Sequence, residues 1–431
     1  MIISVIGLVA VGAGFIALIA INIFEALRGI RLRKRDAAPI PLEADLPHVL
    51  VQIPVFNEAG MVADALRSAA ALDWPKERLH IQLLDDSTDE TTAIADKVTR
   101  QLREQGFDIS HVRRENRTGF KAGALTAGLA ETDAPFIAML DVDFRPPSNW
   151  LRVIIPELLA DPRAGFVQSR CEFANYKTNW LTRAQGMLFD GHFVLEQATR
   201  YRAGWLFQFN GTGGVWRRTA ISAAGGWSAD SLCEDLDLTI RAELAGWHGL
   251  FVMEPPVPGL VPEHVRHWRV QQRRWSNGFV QVARKLIRQV WTSHWSFGGK
   301  LSASFLIFVQ IFYPCAAIGT VSLLMCLLLR AGNPITYLPI IGLITVLVAI
   351  VALGMTLVPF IVLRRGNFWR YFTTLASLPP LMIYVSVSNT PKILQTAFGR
   401  RETFKRTPKS PLTPAIKPAV MPPPEDKLGQ L

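Results

Sequence analysis

The chain has 431 residues, 49% of them apolar, with a mean hydropathy of +0.21 and a net charge of +11. This is room for one or two domains plus membrane segments, and it is more apolar than a soluble enzyme of this size usually is. The basic excess suits an anionic membrane surface or anionic substrates; with no zinc finger, aromatic RNA-binding signature or basic heptad helix, nucleic acid is not an expected partner. Four cysteines, Cys171, Cys233, Cys315 and Cys326, form no C-x-x-C pair, which excludes a disulfide framework and a zinc site and suits reduced thiols facing a cytosol.

Residues 2–27 are almost wholly apolar, more than the roughly 20 needed to cross a bilayer. Arg28, Arg31, Arg33, Lys34 and Arg35 follow, so the positive-inside rule places the chain from 28 onward in the cytoplasm. An uncharged start and the length of the run separate it from a signal peptide. Residues 36–47 read as a linker. From 48 the runs HVLVQIPV, LHIQLLDD and APFIAMLDVD alternate with amphipathic stretches beginning near 58 and 89. That alternation predicts an α/β domain with a mostly parallel sheet, whose ligands bind beyond the carboxyl ends of the strands. Residues 305–329 and 337–363 are each long enough to span a membrane. Residues 371–388 are shorter, are interrupted by Pro379–Pro380, and are placed at the interface so that the basic tail stays inside. The chain thus divides into an N-terminal transmembrane helix and basic flank (1–35), a cytosolic domain with interfacial helices (36–300), a C-terminal transmembrane region (301–390) and a basic, proline-rich tail (391–431), disordered at its end.

Two acidic clusters fall at strand ends. Asp141 and Asp143 in LDVDF close one strand. Two close carboxylates repel unless a cation lies between them, and a hard ion such as Mg²⁺ or Mn²⁺ would also hold a substrate diphosphate. Alone, Asp-x-Asp is an ordinary solvated loop. Asp85 and Asp86 in LLDDSTDET are expected to face the same crevice and to accept hydrogen bonds from a base or ribose, with the serine and threonine capping the next helix. Glu234, Asp235 and Asp237 in CEDLDL are either a plain helix N-terminus or the site of a general base. In VQQRRWSNG, Gln271, Arg273, Arg274 and Trp275 offer forked donors for a diphosphate and a flat face for a sugar ring; the alternative is an amphipathic helix at a membrane surface. Lys121 lies among glycines in GFKAGAL, and FNGTGGVWR (209–217) is a glycine-rich turn. His264 and His267 read as structural.

Taken in order, VQIPVFNE (51–58), QLLDDSTDET (82–91), GFKAGAL (119–125), LDVDF (140–144), FNGTGGVWR, GGWSADSLCEDLDL (225–238) and QQRRW (271–275) resemble the family-2 inverting glycosyltransferases with the GT-A (nucleotide-diphospho-sugar transferase) fold. Within them the chain is similar to the cellulose-synthase-like branch that holds mannan and glucan synthases and their bacterial relatives. The match covers about 48–285 and continues weakly into FKRTPK (404–409). The resemblance implies a GT-A domain flanked by transmembrane helices. It implies Glu58 and Asp86 at the nucleoside, Lys121 near the phosphates, and Asp141 and Asp143 at the nucleotide and metal, with Asp143 the direct ligand. It also implies Asp235, beside Glu234, as general base and Gln271, Arg274 and Trp275 at the diphosphate and acceptor. The family tends to have Thr or Val where Cys233 stands. No regulatory domain for a cyclic dinucleotide is expected, and the membrane segments are too few for a translocation channel within one chain. The implied activity is metal-dependent hexosyl transfer from UDP-glucose or GDP-mannose to a growing β-glycan, processive, at an integral membrane site in a bacterial inner membrane with the catalytic domain cytoplasmic. Its expected partners are the nucleotide sugar, a polysaccharide or lipid acceptor, membrane lipids, and export or assembly proteins. The rivals are a synthase adding one or a few sugars to ceramide or diacylglycerol, and a non-catalytic scaffold, which would lack at least one key carboxylate.

Overall fold

The computed structural model describes residues 38, 39, 41–311, 353–363 and 365–399, with isolated positions between 313 and 350 and at 407 and 409. The run 2–27 lies outside the described residues, as does about half of each of 305–329 and 337–363, so the expected spans there go untested. Among the described residues no helix is long and apolar enough to cross a membrane.

The three apolar runs form strands β1 (Val49–Val55), β2 (Leu79–Asp85) and β4 (Phe136–Met139), with β3 (Asp108–Arg113) at the sheet edge. Helix α1 (Ala59–Ala70) follows β1, α2 (Thr91–Glu104) follows β2, and α3 (Phe120–Leu129) follows β3. The second half adds α4 (Trp150–Ala160), β5 (Ala164–Phe173), α5 (Trp180–Asp190), a π-helical turn at Gly191–Gln197, α6 (Ala198–Arg202), β6 (Gly214–Arg217), α7 (Arg218–Ala223), α8 (Glu234–Leu244) and β7 (His248–Gly259). One seven-stranded sheet runs β3-β2-β1-β4-β6-β5-β7. Strands β3, β2, β1 and β4 are parallel, β6 is antiparallel to both its neighbours, and β5 and β7 are parallel. The mostly parallel α/β sheet is as the sequence predicts. The order reverses between β1 and β4, the place where such sheets open a crevice for ligands.

Strand β1 shows how the core accepts a polar residue. Gln52 stands opposite Gln82 of β2 in the register and is fully buried. Its Nε2 donates to Gln82 Oε1 at 2.8 Å, and Gln82 Nε2 donates to the Gly128 carbonyl at 3.0 Å, which ties α3 to the sheet. Such pairing removes most of the penalty of burying an amide. Around it Val49, Leu50, Val51, Ile53, Leu83, Ile137 and Leu125 make one continuous core.

Beyond the sheet, α9 (Val265–Thr292), α10 (Phe297–Phe308) and α11 (Phe368–Ala397) pack together. Trp268 of α9 and Tyr371, Leu378, Leu381, Val385 and Ile393 of α11 share a core with Leu181 of α5, while Ala303, Leu306 and Ile307 of α10 pack against Val282, Leu286 and Val290 of α9 in a second one. The interruption expected at Pro379–Pro380 does not occur: α11 runs through Pro379, Pro380 and Pro391, and Asn367 caps it by accepting from Arg370 N at 2.9 Å. Packing against α9 compensates the backbone donors that the prolines remove.

Candidate functional site

The carboxyl ends of β1, β2 and β4, the turn before β6 and the first halves of α8 and α9 enclose a cavity of about 460 Å³, within the range of small-ligand pockets. Glu58, Asp86, Lys121, Asp141, Asp143, Glu234, Asp235, Gln271, Arg274 and Trp275 all line it, so the residues that the resemblance implies are brought to one place, while Asp85, Asp237 and Arg273 are not among its lining.

Asp85 is the exception among the acidic clusters. Successive side chains of a strand point to opposite faces, so Asp85 turns inward while Asp86, one residue on, faces the cavity. Burial alone would raise the Asp85 pKa. Hydrogen bonds from His111 (2.9 Å), Ser87 N (2.8 Å) and Thr92 (2.8 Å) overcome that and hold it well below the usual carboxylate range. His111 also donates to Asp96 at 2.7 Å. The expected capping by the serine and threonine is corrected too: Asp89 Oδ1 accepts from Thr91 N at 2.9 Å, while Ser87 and Thr88 bond Asn57 and join the β1 loop to the β2 loop. Asn57 adopts a left-handed φ of 55° there, which presents Glu58 at the cavity.

Asp86 receives the fork of Arg114, Nε to Oδ1 at 3.0 Å and Nη2 to Oδ2 at 2.5 Å. Arg117 lies 3.8 Å from the same carboxylate, over the Phe56 ring. These two arginines were not picked out in the sequence; the only signal was a basic stretch after β3.

Lys121 stands in the first turn of α3, where free backbone N–H groups and the ammonium together favour anions. Its Nζ reaches Asp141 Oδ1 (2.7 Å), the Gly211 carbonyl (3.0 Å) and Glu234 (3.6 Å). Burial opposes the charge, but Asp141 and Glu234 outweigh it and raise the Lys121 pKa. Asp141 is fixed through its own N–H, which donates to Thr212 Oγ1 at 2.9 Å. The glycine-rich turn thus touches the carboxylates directly. Gly211, at φ +76°, sits where a Cβ would lie 2.9 Å from Asp235 Oδ2, so a side chain there would be both strained and obstructed.

Asp143 is 6% exposed, and its Oδ2 accepts from Leu260 N at 3.2 Å and from Lys409 Nζ at 2.5 Å. Lys409 falls in FKRTPK, a segment in which sequence reasoning named no site residue. Asp141 and Asp143 each hold an ammonium, Lys121 and Lys409, standing where a cation's charge is needed. Oxygen donors of this kind fit a hard divalent ion. No group of three ligating side chains is found among the described residues, so phosphate and water would complete the shell, as Mg²⁺ commonly requires.

Asp235 is the second residue of α8, and its Oδ1 accepts from Leu236 N at 2.8 Å. Burial first, then the neighbouring Glu234, push its pKa up to about 7, against the pull of Lys121. Asp237 instead pairs with Arg241 (2.6 Å) and Lys285 (2.8 Å) and plays no part in the cavity. The reading of CEDLDL as a helix start and its reading as a base site are therefore compatible.

Gln271, Arg274 and Trp275 share one face of α9. The helix reaches the base through a close approach: a Cβ on Gly278 would lie 2.3 Å from Cys233 Sγ, and Cys233 donates weakly to the Trp275 carbonyl at 3.7 Å. Trp275 meets the Phe189 ring at 5.7 Å, edge to face. The His264 and His267 rings meet at 5.6 Å at the start of α9, and neither is among the residues that line the cavity.

Comparison with known proteins fits this geometry. Residues 136–363 match the model of the glycosyl transferase family group 2. Glucomannan 4-beta-mannosyltransferase 2 of Arabidopsis thaliana is 40% identical over 251 residues, 57% of this chain and 47% of that protein. Glucomannan 4-beta-mannosyltransferase 1 of Cyamopsis tetragonoloba is 38% identical over 248 residues, again 57% of this chain and 47% of its own length. The chain thus spans about half the length of the curated relatives it matches. A solved mannosyltransferase, PcManGT from Pyrobaculum calidifontis in complex with GDP-Man and Mn²⁺, covers 89% of this chain and 98% of its own at a TM-score of 0.56 and 21% identity, which shows the shared GT-A fold.

The relatives correct one expectation. They are plant proteins, which overturns the placement as an integral protein of a bacterial inner membrane with a cytoplasmic catalytic domain. With the sheet order, the cavity residues and the matching family model in agreement, the chain belongs to the glycosyl transferase family group 2.

Proposed function

We propose that the protein is an inverting hexosyltransferase that moves a sugar from a nucleotide sugar to the end of a growing β-glycan. The observation that carries this reading is Asp235. It is a carboxylate raised to about 7 by burial and Glu234, in a cavity that also holds Lys121 and Arg274. A base near the working pH accepts a proton efficiently while still being partly ionised. Asp235 takes the proton of the acceptor hydroxyl as its oxygen attacks the anomeric carbon. Arg274 and Lys121 face the negative charge that grows on the leaving diphosphate, a role for which forked or compact cations are suited. Gln271 and Trp275 orient the acceptor ring, and Glu234 keeps Lys121 and Asp235 in place. Glu58 and Asp86 hold the nucleoside. Asp143 and Asp141 would hold Mg²⁺ or Mn²⁺, which supplies further charge neutralisation at the diphosphate.

The relatives' names favour mannose as the transferred sugar, with GDP-mannose ahead of UDP-glucose as donor. The experiment offers both donors separately to the purified protein with Mg²⁺ or Mn²⁺, follows nucleotide release, and sizes the product. Release from GDP-mannose with a long, lipid-free product is the expected result. A short, lipid-soluble product would move the protein to the glycolipid synthases, and no release from either donor would sink the reading.

A further inference from the structure

A segment next to the base has no role in the mechanism above. Residues 228–232 cross the cavity wall as a strap, and Ala229, Asp230, Ser231 and Leu232 all line it. The strap is held from outside by α9, the helix that carries Gln271, Arg274 and Trp275. Lys285 Nζ donates to Ser228 Oγ at 2.8 Å and to Asp230 Oδ2 at 3.1 Å, and Gln281 Oε1 accepts from Leu232 N at 2.8 Å. The strap's course is therefore fixed without any contribution from Ser231.

Ser231 is 7% exposed, and its Oγ has no hydrogen-bond partner among the described residues. A buried hydroxyl without a partner costs about 1–3 kcal/mol, and such groups in a native fold call for an explanation. The same cavity holds a second case. Gln271 is 5% exposed, and its Oε1 also lacks a partner among the described residues. A wall that leaves a buried hydroxyl and a buried amide oxygen unpaired is complementary to a ligand rich in hydroxyl groups.

The strap's two ends say which part of that ligand it meets. At one end Ala229 packs over Gly119, just before α3: a Cβ on Gly119 would lie 3.2 Å from the Ala229 Cβ. This is the phosphate end of the cavity. At the other end the chain enters Glu234, 3.6 Å from Lys121, and then Asp235. Ser231 follows Ala229 by two residues and precedes Asp235 by four, so the strap carries it along the cavity from the phosphate end toward the base.

We infer that Ser231 is a specificity-determining residue that hydrogen-bonds one hydroxyl of the donor hexose. This rests on the glycosyl-transfer reading and adds to it the atom that reads the sugar rather than the nucleotide. A hydroxyl built to pair with a substrate hydroxyl discriminates against sugars that lack it, because its own bond then goes unmade.

The test is a cycle between enzyme and substrate. The donor assay selects GDP-mannose or UDP-glucose. The wild type, Ser231→Ala and Ser231→Thr are then compared on that donor and on its 2-, 3-, 4- and 6-deoxy sugar analogues. Calorimetry gives the affinity for the free nucleoside diphosphate and for the intact donor. Ser231→Ala should lower kcat/KM on the parent donor about tenfold, the size of one lost neutral hydrogen bond. One deoxy analogue should be turned over equally by wild type and Ser231→Ala, while the other analogues keep the tenfold gap. Ser231→Thr, which retains the hydroxyl, should keep the wild-type ranking of analogues. The nucleoside diphosphate should bind wild type and Ser231→Ala alike. An equal loss on all five donors, or no loss on the parent, would overturn the inference, since a merely structural or water-bound serine behaves so. If the wild type itself releases no nucleotide from either donor, it is the glycosyl-transfer reading that has failed.

Discussion

Along the wall built by β1, β2 and α3, acid meets base. Asp86 holds the Arg114 fork and Asp141 holds Lys121, and behind them, turned away from the cavity, Asp85 holds His111. Along the facing wall, built by the strap, α8 and α9, the polar groups are left short of partners. Asp235 sits next to Glu234 with its pKa near 7, and Ser231 Oγ and Gln271 Oε1 have no partner among the described residues. The first wall resembles a finished binding surface whose charges are already compensated. The second keeps unspent hydrogen-bonding capacity, which suits chemistry and hydroxyl recognition. The difference teaches that substitutions on the two walls should fail in different ways: those on the first through stability or nucleotide affinity, those on the second through turnover.

The largest effect that sharpens the contrast is expected at Arg274. Arg274→Ala should lower kcat by about 10²–10³, the usual loss when one donor to a developing anion is removed, with the melting temperature held within a few degrees. Rates and thermal melts measured side by side decide it; a variant that melts early but keeps its kcat would assign Arg274 to the structure instead.

Behind the opposite wall, His111→Leu removes one partner of a buried carboxylate that keeps its hydrogen bonds from Ser87 N and Thr92. Losing one hydrogen bond to a charged group costs about 1.5–3 kcal/mol, so urea titration should show a loss of that order, while the folded fraction keeps its kcat. Asp85 is held well below its unfolded pKa, so its contribution is present above the normal carboxylate range and is lost as pH falls toward its depressed value. His111 is raised, so its contribution is present below about 6.5 and fades as pH climbs past its raised pKa. The wild type's advantage over His111→Leu should therefore be greatest in mildly acidic to neutral solution and shrink toward both extremes. An advantage that is flat with pH would mean that His111 packs as an uncharged ring.

Much of the site was legible because its parts obey local rules. A carboxylate that ends an apolar run stands at a strand's carboxyl end, so Asp86, Asp141 and Asp143 could be placed on one edge before any contact was known. Gln271, Arg274 and Trp275 could be placed on one helix face by spacing alone. What escaped depends on contacts between distant segments. Whether Asp85 or Asp86 turns inward depends on His111, 26 residues away. Lys409 meets Asp143 across 266 residues, and the Ser231 strap is set by Lys285 and Gln281 on another helix. The antiparallel placement of β6 between β4 and β5 is equally long-range and left no periodic trace.

Whether Asp235 is the base is decided by comparing Asp235→Asn with wild type across pH 5–9. With Asp235 the base, kcat/KM of the wild type rises through about pH 7 and levels off, while Asp235→Asn loses about 10²–10⁴ in rate at the plateau and binds the nucleoside diphosphate within about twofold of wild type. The same variant should gain stability that grows between about pH 4 and about pH 7 and then holds level, with no gain below about pH 4. A carboxyl whose pKa is raised by burial opposes folding once pH exceeds its unfolded value, and the amide removes that cost. An Asp235→Asn protein that keeps most of its activity, or a wild-type profile with no inflection near neutrality, would contradict the claim.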